Sequence, residues 1–204
     1  VSAILLTACV VVGSCSSVPW ARQAPTPSPS PTALSDPYLC DIVSAEVLKT
    51  TLKFQAGHEY YLSHNRDEYD WWSCELVSPG LDQAVKIEYT DNDRWSTVMG
   101  DLSASSNGPV IENPDWRAES IGLPGHEGQG WYVTNASRRE ARILIWRYPD
   151  GYYLVISVRY KDGAPSPEDS TQAMQDLALT VVDKIPASFA SDGGGMTAPD
   201  DGAT

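Results

Sequence analysis

Two apolar runs stand back to back late in the chain, and they restrict the fold more than any other feature. Ala141–Tyr148 reads A-R-I-L-I-W-R-Y, and Tyr152–Tyr160 reads Y-Y-L-V-I-S-V-R-Y. Pro149-Asp150-Gly151 lies between them. Proline presets φ and glycine accepts positive φ, so this tripeptide is a turn and the runs form a hairpin. Side chains alternate across a strand. Ile143-Leu144-Ile145 and Leu154-Val155-Ile156 therefore place apolar groups on both faces. Such strands must be central and covered on each side.

The flanking segments complete the pattern. Trp72, Cys74 and Leu76 alternate with Ser73 and Glu75, and Val85, Ile87 and Tyr89 alternate with Lys86 and Glu88. Both read as half-buried strands, joined as a hairpin through Pro79-Gly80. Trp131–Thr134 is a further strand. Ser44 is a helix N-cap, with Glu46 in the first turn and Val47, Leu48 and Leu52 as an apolar stripe. Ser166 is the expected N-cap of a last helix, with Pro167 at its first position. Met174, Leu177, Ala178, Val181 and Ile185 fall on one face, and Pro186 is expected to end the helix. Residues 55–70 read as a polar, aromatic loop and Trp95–Leu102 as a short helix. Ser103–Pro114 reads as irregular. The expectation is an α+β domain with a mainly antiparallel sheet of about five strands. A short N-terminal helix and a C-terminal amphipathic helix pack against it.

The ends of the chain have a different character. Ala3–Val12 is a short apolar run, followed by Gly13-Ser14-Cys15 and a polar stretch. It is shorter than the roughly 20 residues of a membrane helix and has the layout of a lipoprotein signal. The basic start usual for such a signal is expected upstream of Val1, since no Lys or Arg precedes Arg22. Cys9 also follows small residues, but Val10-Val11-Val12 would then open the mature chain. Cys15, followed by Ser16-Ser17, is the expected lipidation site. Residues 1–15 are thus a signal peptide with lipobox, and 16–36 a linker in which Pro25, Pro27, Pro29 and Pro31 alternate with Ser and Thr. The folded domain spans 37–187, and 188–204 is an acidic, disordered tail. The expected location is the outer face of the cell membrane, with a lipid anchor as the link to the membrane. Cys40 and Cys74 then remain as an even pair in an exported domain, which implies a disulfide.

Asp36-Pro37-Tyr38-Leu39-Cys40-Asp41-Ile42-Val43-Ser44, the short helix after it, and Trp72-Ser73-Cys74-Glu75 resemble a family of small actinobacterial lipoproteins. Those proteins pair an Asp-Pro-x-Cys-type opening with a later Cys/Trp strand. Here the opening is Asp-Pro-x-x-Cys and the tryptophan precedes Cys74. The resemblance covers about 40 residues and the general layout of signal, linker and closing helix. It implies export and a paired-cysteine α+β fold, and it supplies no reaction.

Chemistry is sparse. From Pro37 to Phe189 there are 13 Lys/Arg against 23 Asp/Glu, without the basic stripe of a nucleic-acid binder. His58 and His64 flank Glu59-Tyr60-Tyr61 near Asp67, Glu68 and Asp70, without a recognised metal spacing, and no metal or cofactor is expected. Gly125-His126-Glu127-Gly128 lacks the second histidine of a zinc-protease helix. Asp91-Asn92-Asp93 lacks the glycine and distal glutamate of a calcium loop. No nucleophile elbow, phosphate loop or dinucleotide fingerprint occurs, and no catalytic residue is assigned. Trp71, Tyr60 and Tyr61 form the candidate binding surface, facing away from a core that holds Trp72. Asn135-Ala136-Ser137 is a glycosylation sequon. These features point to a non-catalytic binding or interaction module of the cell envelope, whose partner is an envelope protein or a cell-wall glycan. The alternative is a cell-wall-associated hydrolase.

Overall fold

The computed structural model describes residues 33–65, 70–91, 94–97, 100–105, 108–110, 115–137 and 141–191. Cys9, Cys15, most of the Pro-rich linker and residues 192–204 lie outside them.

A small hairpin opens the domain, β1 (Tyr38–Leu39) and β2 (Val43–Ser44). Its turn places Cys40 and Asp41 at φ 47° and 67°. Helix α1 (Ala45–Thr51) follows, with the Ser44 hydroxyl accepting from the Val47 N–H as expected. Then come β3 (His58–Asn65), β4 (Asp70–Val77) and β5 (Gln83–Thr90). Strands β6 (Arg94–Thr97), β7 (Gly100–Ser105) and β8 (Gly108–Val110) form a separate three-stranded sheet. Strands β9 (Trp116–Ile121), β10 (Gln129–Asn135), β11 (Ala141–Arg147) and β12 (Tyr153–Tyr160) precede helices α2 (Ser170–Val181) and α3 (Lys184–Ser191).

The fold is α+β. Its main sheet has seven antiparallel strands in the order β3-β4-β5-β12-β11-β10-β9, two more than expected. The two additions are its edges. Residues 58–65 are strand β3, not loop. Edge strands need no apolar alternation, and that hid this one. The expected helix at Trp95–Leu102 is instead β6 and the start of β7, and β7 and β8 replace the irregular reading of Ser103–Pro114.

The central hairpin holds the domain together. At its turn Tyr148 N–H donates to Tyr152 O at 2.8 Å and Gly151 N–H donates to Tyr148 O at 3.1 Å, with Gly151 at φ 100°. Leu144, Trp146, Leu154, Ile156 and Val158 join Leu48, Trp72, Met174, Leu177 and Val181 in a large core under the helices. On the opposite face Ile143, Ile145, Val155, Val133 and Tyr153 pack with Trp95 in a second core. Both faces of the hairpin are therefore covered. Close approach explains Gly130: a Cβ there would lie 2.9 Å from both Ile121 O and Trp146 Cε3.

Two helix boundaries differ from expectation. Asp169, not Ser166, caps α2 by accepting from Gln172 N–H at 3.0 Å. Its carboxylate also suits the positive helix end. The segment before it is not helical, and the Gln83 side-chain amide donates to Pro165 O. Pro186 does not stop a helix. It sits in the first turn of α3, where its missing N–H costs nothing. The fold also runs past Ala187, because Phe189 is buried against Tyr89 with centroids 5.7 Å apart.

Candidate functional site

The candidate surface lies at one edge of the main sheet. Strand β4 carries Trp72, Cys74 and Leu76 into the large core, all fully buried. Cys74 is bonded to Cys40 in the β1–β2 turn, with Cα atoms 5.9 Å apart. Glu59 on β3 reinforces this contact by accepting from the Cys40 N–H at 3.2 Å.

Register decides where the aromatics point. Tyr61 stands opposite Cys74 and Tyr60 opposite Glu75. Directly paired residues share a face. Tyr61 is therefore on the helix-bearing face, edge-on to Trp72 with centroids 5.8 Å apart. Tyr60 is on the other face, which it shares with Trp71, Ser73 and Glu75. The three aromatics do not form one surface. Tyr60 and Trp71 share a face but stand four residues apart in register, about 13 Å along the strands. Tyr60 is 61% exposed and Tyr61 37%. Trp71 is half-buried, with the Lys86 ammonium 5.9 Å from its ring centroid.

That same face holds a polar layer which the sequence pattern concealed. Lys86 Nζ lies 3.2 Å from Glu88 Oε2, and both side chains are nearly buried. Ser73 and Val155 flank Glu88 in register, and Glu75 and Ser157 flank Lys86. Ser73, Thr90 and Ser157 are buried as well. The alternation Val85-Lys86-Ile87-Glu88-Tyr89 reads as one wet face and one dry face, yet all eight residues of β5 are buried. A buried ion pair gains from attraction but loses hydration, so its contribution to stability is small when intact.

The histidines do not converge. His58 and His64 occupy β3 six residues apart, about 20 Å at strand rise, too far to share one ion. Among the described residues no group of three or more His, Cys, Asp or Glu side chains is placed to hold a metal. His126 instead bridges the β9–β10 connection to the end of α2, with Nε2 3.1 Å from Asp183 Oδ2. That hydrogen bond raises its pKa above the ordinary value of 6.5. The sequon asparagine is buried, and its side-chain oxygen accepts from Ser137 N–H at 2.9 Å. Of Asp91-Asn92-Asp93, only Asp91 is among the described residues.

Open clefts lined by described residues include the following three. One of about 330 Å³ lies between residues 34–39 and α1, floored by Leu39, Leu48 and Phe54. One of about 210 Å³ is lined by Arg142, Lys161 and Ser170. There Arg142 Nε and the Tyr132 hydroxyl both donate to Ser170 Oγ, at 3.3 and 2.9 Å, which ties the arginine to the fold. The third, about 450 Å³, lies beside Gly128, Arg147 and Tyr148. Comparison of the chain with protein-family models, curated proteins and solved structures gives no match.

Proposed function

We propose that this chain is a lipid-anchored lipoprotein on the outer face of the cell membrane, whose domain is a non-catalytic binding module for an envelope protein or glycan. The anchor is Cys15, in a lipobox-like sequence followed by a polar linker. The paired cysteines support export, since such bonds persist in oxidising compartments. The resemblance to small actinobacterial lipoproteins agrees with this layout.

One observation carries the binding reading: Tyr60 projects from the sheet edge at 61% exposure, on the face that also bears Trp71. Large aromatics are usually buried, and an exposed one offers a broad contact area at low entropic cost. Two measurements test the proposal. Cys15→Ser should move the chain from the membrane fraction to the medium. Retention by this variant together with release by Cys9→Ser would reassign the anchor. Pull-down from membranes should recover a component with wild type that Tyr60→Ala and Trp71→Ala recover poorly. Equal recovery by all three would remove this surface from consideration.

A further inference from the structure

We propose that the outer edge of β9 pairs with the same edge of a second copy of this chain, antiparallel and about a two-fold axis at Ala118. Among the described residues, β9 pairs with a strand on one side only, through β10. Arg117, Ala118, Glu119 and Ser120 are all exposed.

The ladder to β10 fixes which backbone groups face outward. Its register is continuous from Trp116 opposite Asn135 to Ile121 opposite Gly130, without a bulge. One step before it, Ala136 N–H donates to Asp115 O at 2.7 Å. In an antiparallel ladder every second residue bonds to a given neighbour. Asp115 bonds toward β10, so Arg117, Glu119 and Ile121 do the same. Trp116, Ala118 and Ser120 therefore turn their N–H and C=O groups to the outer side. Two such edges related by a two-fold axis match Ala118 with the partner's Ala118, and Trp116 with the partner's Ser120. Each of these pairs can exchange two N–H···O bonds.

The side chains select a second copy as the occupant. Natural edge strands are blunted by proline, bulges or charges that resist a further strand. Strand β9 has no proline or glycine, and its two charges favour self-pairing. Arg117 stands opposite Thr134 and Glu119 opposite Tyr132, so both lie on the helix-bearing face. The two-fold pairing sets Arg117 of each copy against Glu119 of the other. These are the non-hydrogen-bonded pairs, in which Cα atoms approach to about 4.5 Å and side chains are closest. Opposite charges directly across a pair attract, and like charges repel. A slip of two residues one way sets glutamate against glutamate, and the other way arginine against arginine. The charges thus specify the register as well as the partner. The chain carries a net charge of −13, but β9 itself is neutral. At physiological salt the wider repulsion is screened beyond about 8 Å.

The binding proposal concerns Tyr60 at the opposite edge of the same sheet. The inference goes beyond it, and the two can fail separately.

Sedimentation equilibrium of the full chain in density-matched detergent, over a concentration series reaching about 1 mM, tests it. Wild type should show a monomer–dimer equilibrium. Ala118→Pro removes the outward N–H at the axis and leaves the inner ladder intact, and should weaken dimerisation at least about tenfold. Glu119→Arg and Arg117→Glu each bring like charges together, and each should weaken it comparably. Mixed in equal amounts, these two single variants should associate with one another. The double variant Arg117→Glu with Glu119→Arg should dimerise like wild type at unchanged net charge. Such recovery cannot come from misfolding. A wild-type chain that stays monomeric throughout the series overturns the inference. So does dimerisation that Ala118→Pro leaves intact, or that the double charge variant fails to restore.

Discussion

Tyr61 packs edge-on against Trp72, ring planes 65° apart, while its cross-strand partner Cys74 holds the bridge to Cys40. An exposed residue of the edge strand thus rests on a fully buried tryptophan. The neighbouring Tyr60 points the other way. The disulfide ties the small β1–β2 hairpin to this corner and so fixes where α1 begins.

Removal of the bridge gives the first prediction. It closes a loop of 34 residues in sequence, and the chain-entropy model assigns such a loop roughly 3–4 kcal/mol. Cys40→Ala with Cys74→Ala should lower the unfolding free energy by about that amount in urea titration. A loss below about 1 kcal/mol would show that the unfolded chain is already constrained in this region.

The Lys86–Glu88 pair should behave as a coupled unit. Lys86→Met alone removes the Lys86 ammonium from a buried carboxylate and should cost up to roughly 3–5 kcal/mol. Adding Glu88→Leu should recover part of this loss. Chemical denaturation of the two single variants and the double variant measures the coupling, and simple additivity would contradict it.

His126 sets a pH dependence. Its folded pKa is raised by the Asp183 hydrogen bond, so the contribution is full below the unfolded value near 6.5 and fades as pH rises through the folded value. The pair is at the surface and Asp183 is mostly exposed, which limits the effect to a few tenths of a kcal/mol. Proton NMR titration of His126 should show the raised pKa, and Asp183→Asn should bring it down.

The start of α2 can be checked by capping. Asp169→Ala should cost about 1 kcal/mol, and Ser166→Ala much less, by thermal or urea unfolding. The reverse order would place the helix start three residues earlier.

Gly130→Ala should strain the sheet. The added methyl meets Ile121 O and the Trp146 ring at 2.9 Å, and overpacking of this kind costs roughly 1–3 kcal/mol. Near-UV circular dichroism should report a displaced Trp146.

What could be read in advance followed from strong local signals. Ile143–Ile145 and Leu154–Ile156 carry apolar groups on successive residues, and only a doubly covered strand uses both faces. Ser44 and the stripe after it marked α1, and the even cysteine pair marked the bridge. Strand β3 escaped because His58–Asn65 lies at an edge, where solvation removes the need for alternation. Strands β6 and β7 escaped because they belong to a small separate layer, of which Trp95 is the buried anchor.

The candidate surface divides in the same way. The sequence alone determined the central hairpin, the buried role of Trp72 and the partner of Cys40, because each depends on neighbours along one strand or on an even count of thiols. Only the tertiary structure decided that Tyr60 and Tyr61 part to opposite faces, and that Lys86 and Glu88 are buried together. Register is set by pairing with a distant segment, and burial by what a second layer covers. Neither quantity is carried by the local order of residues.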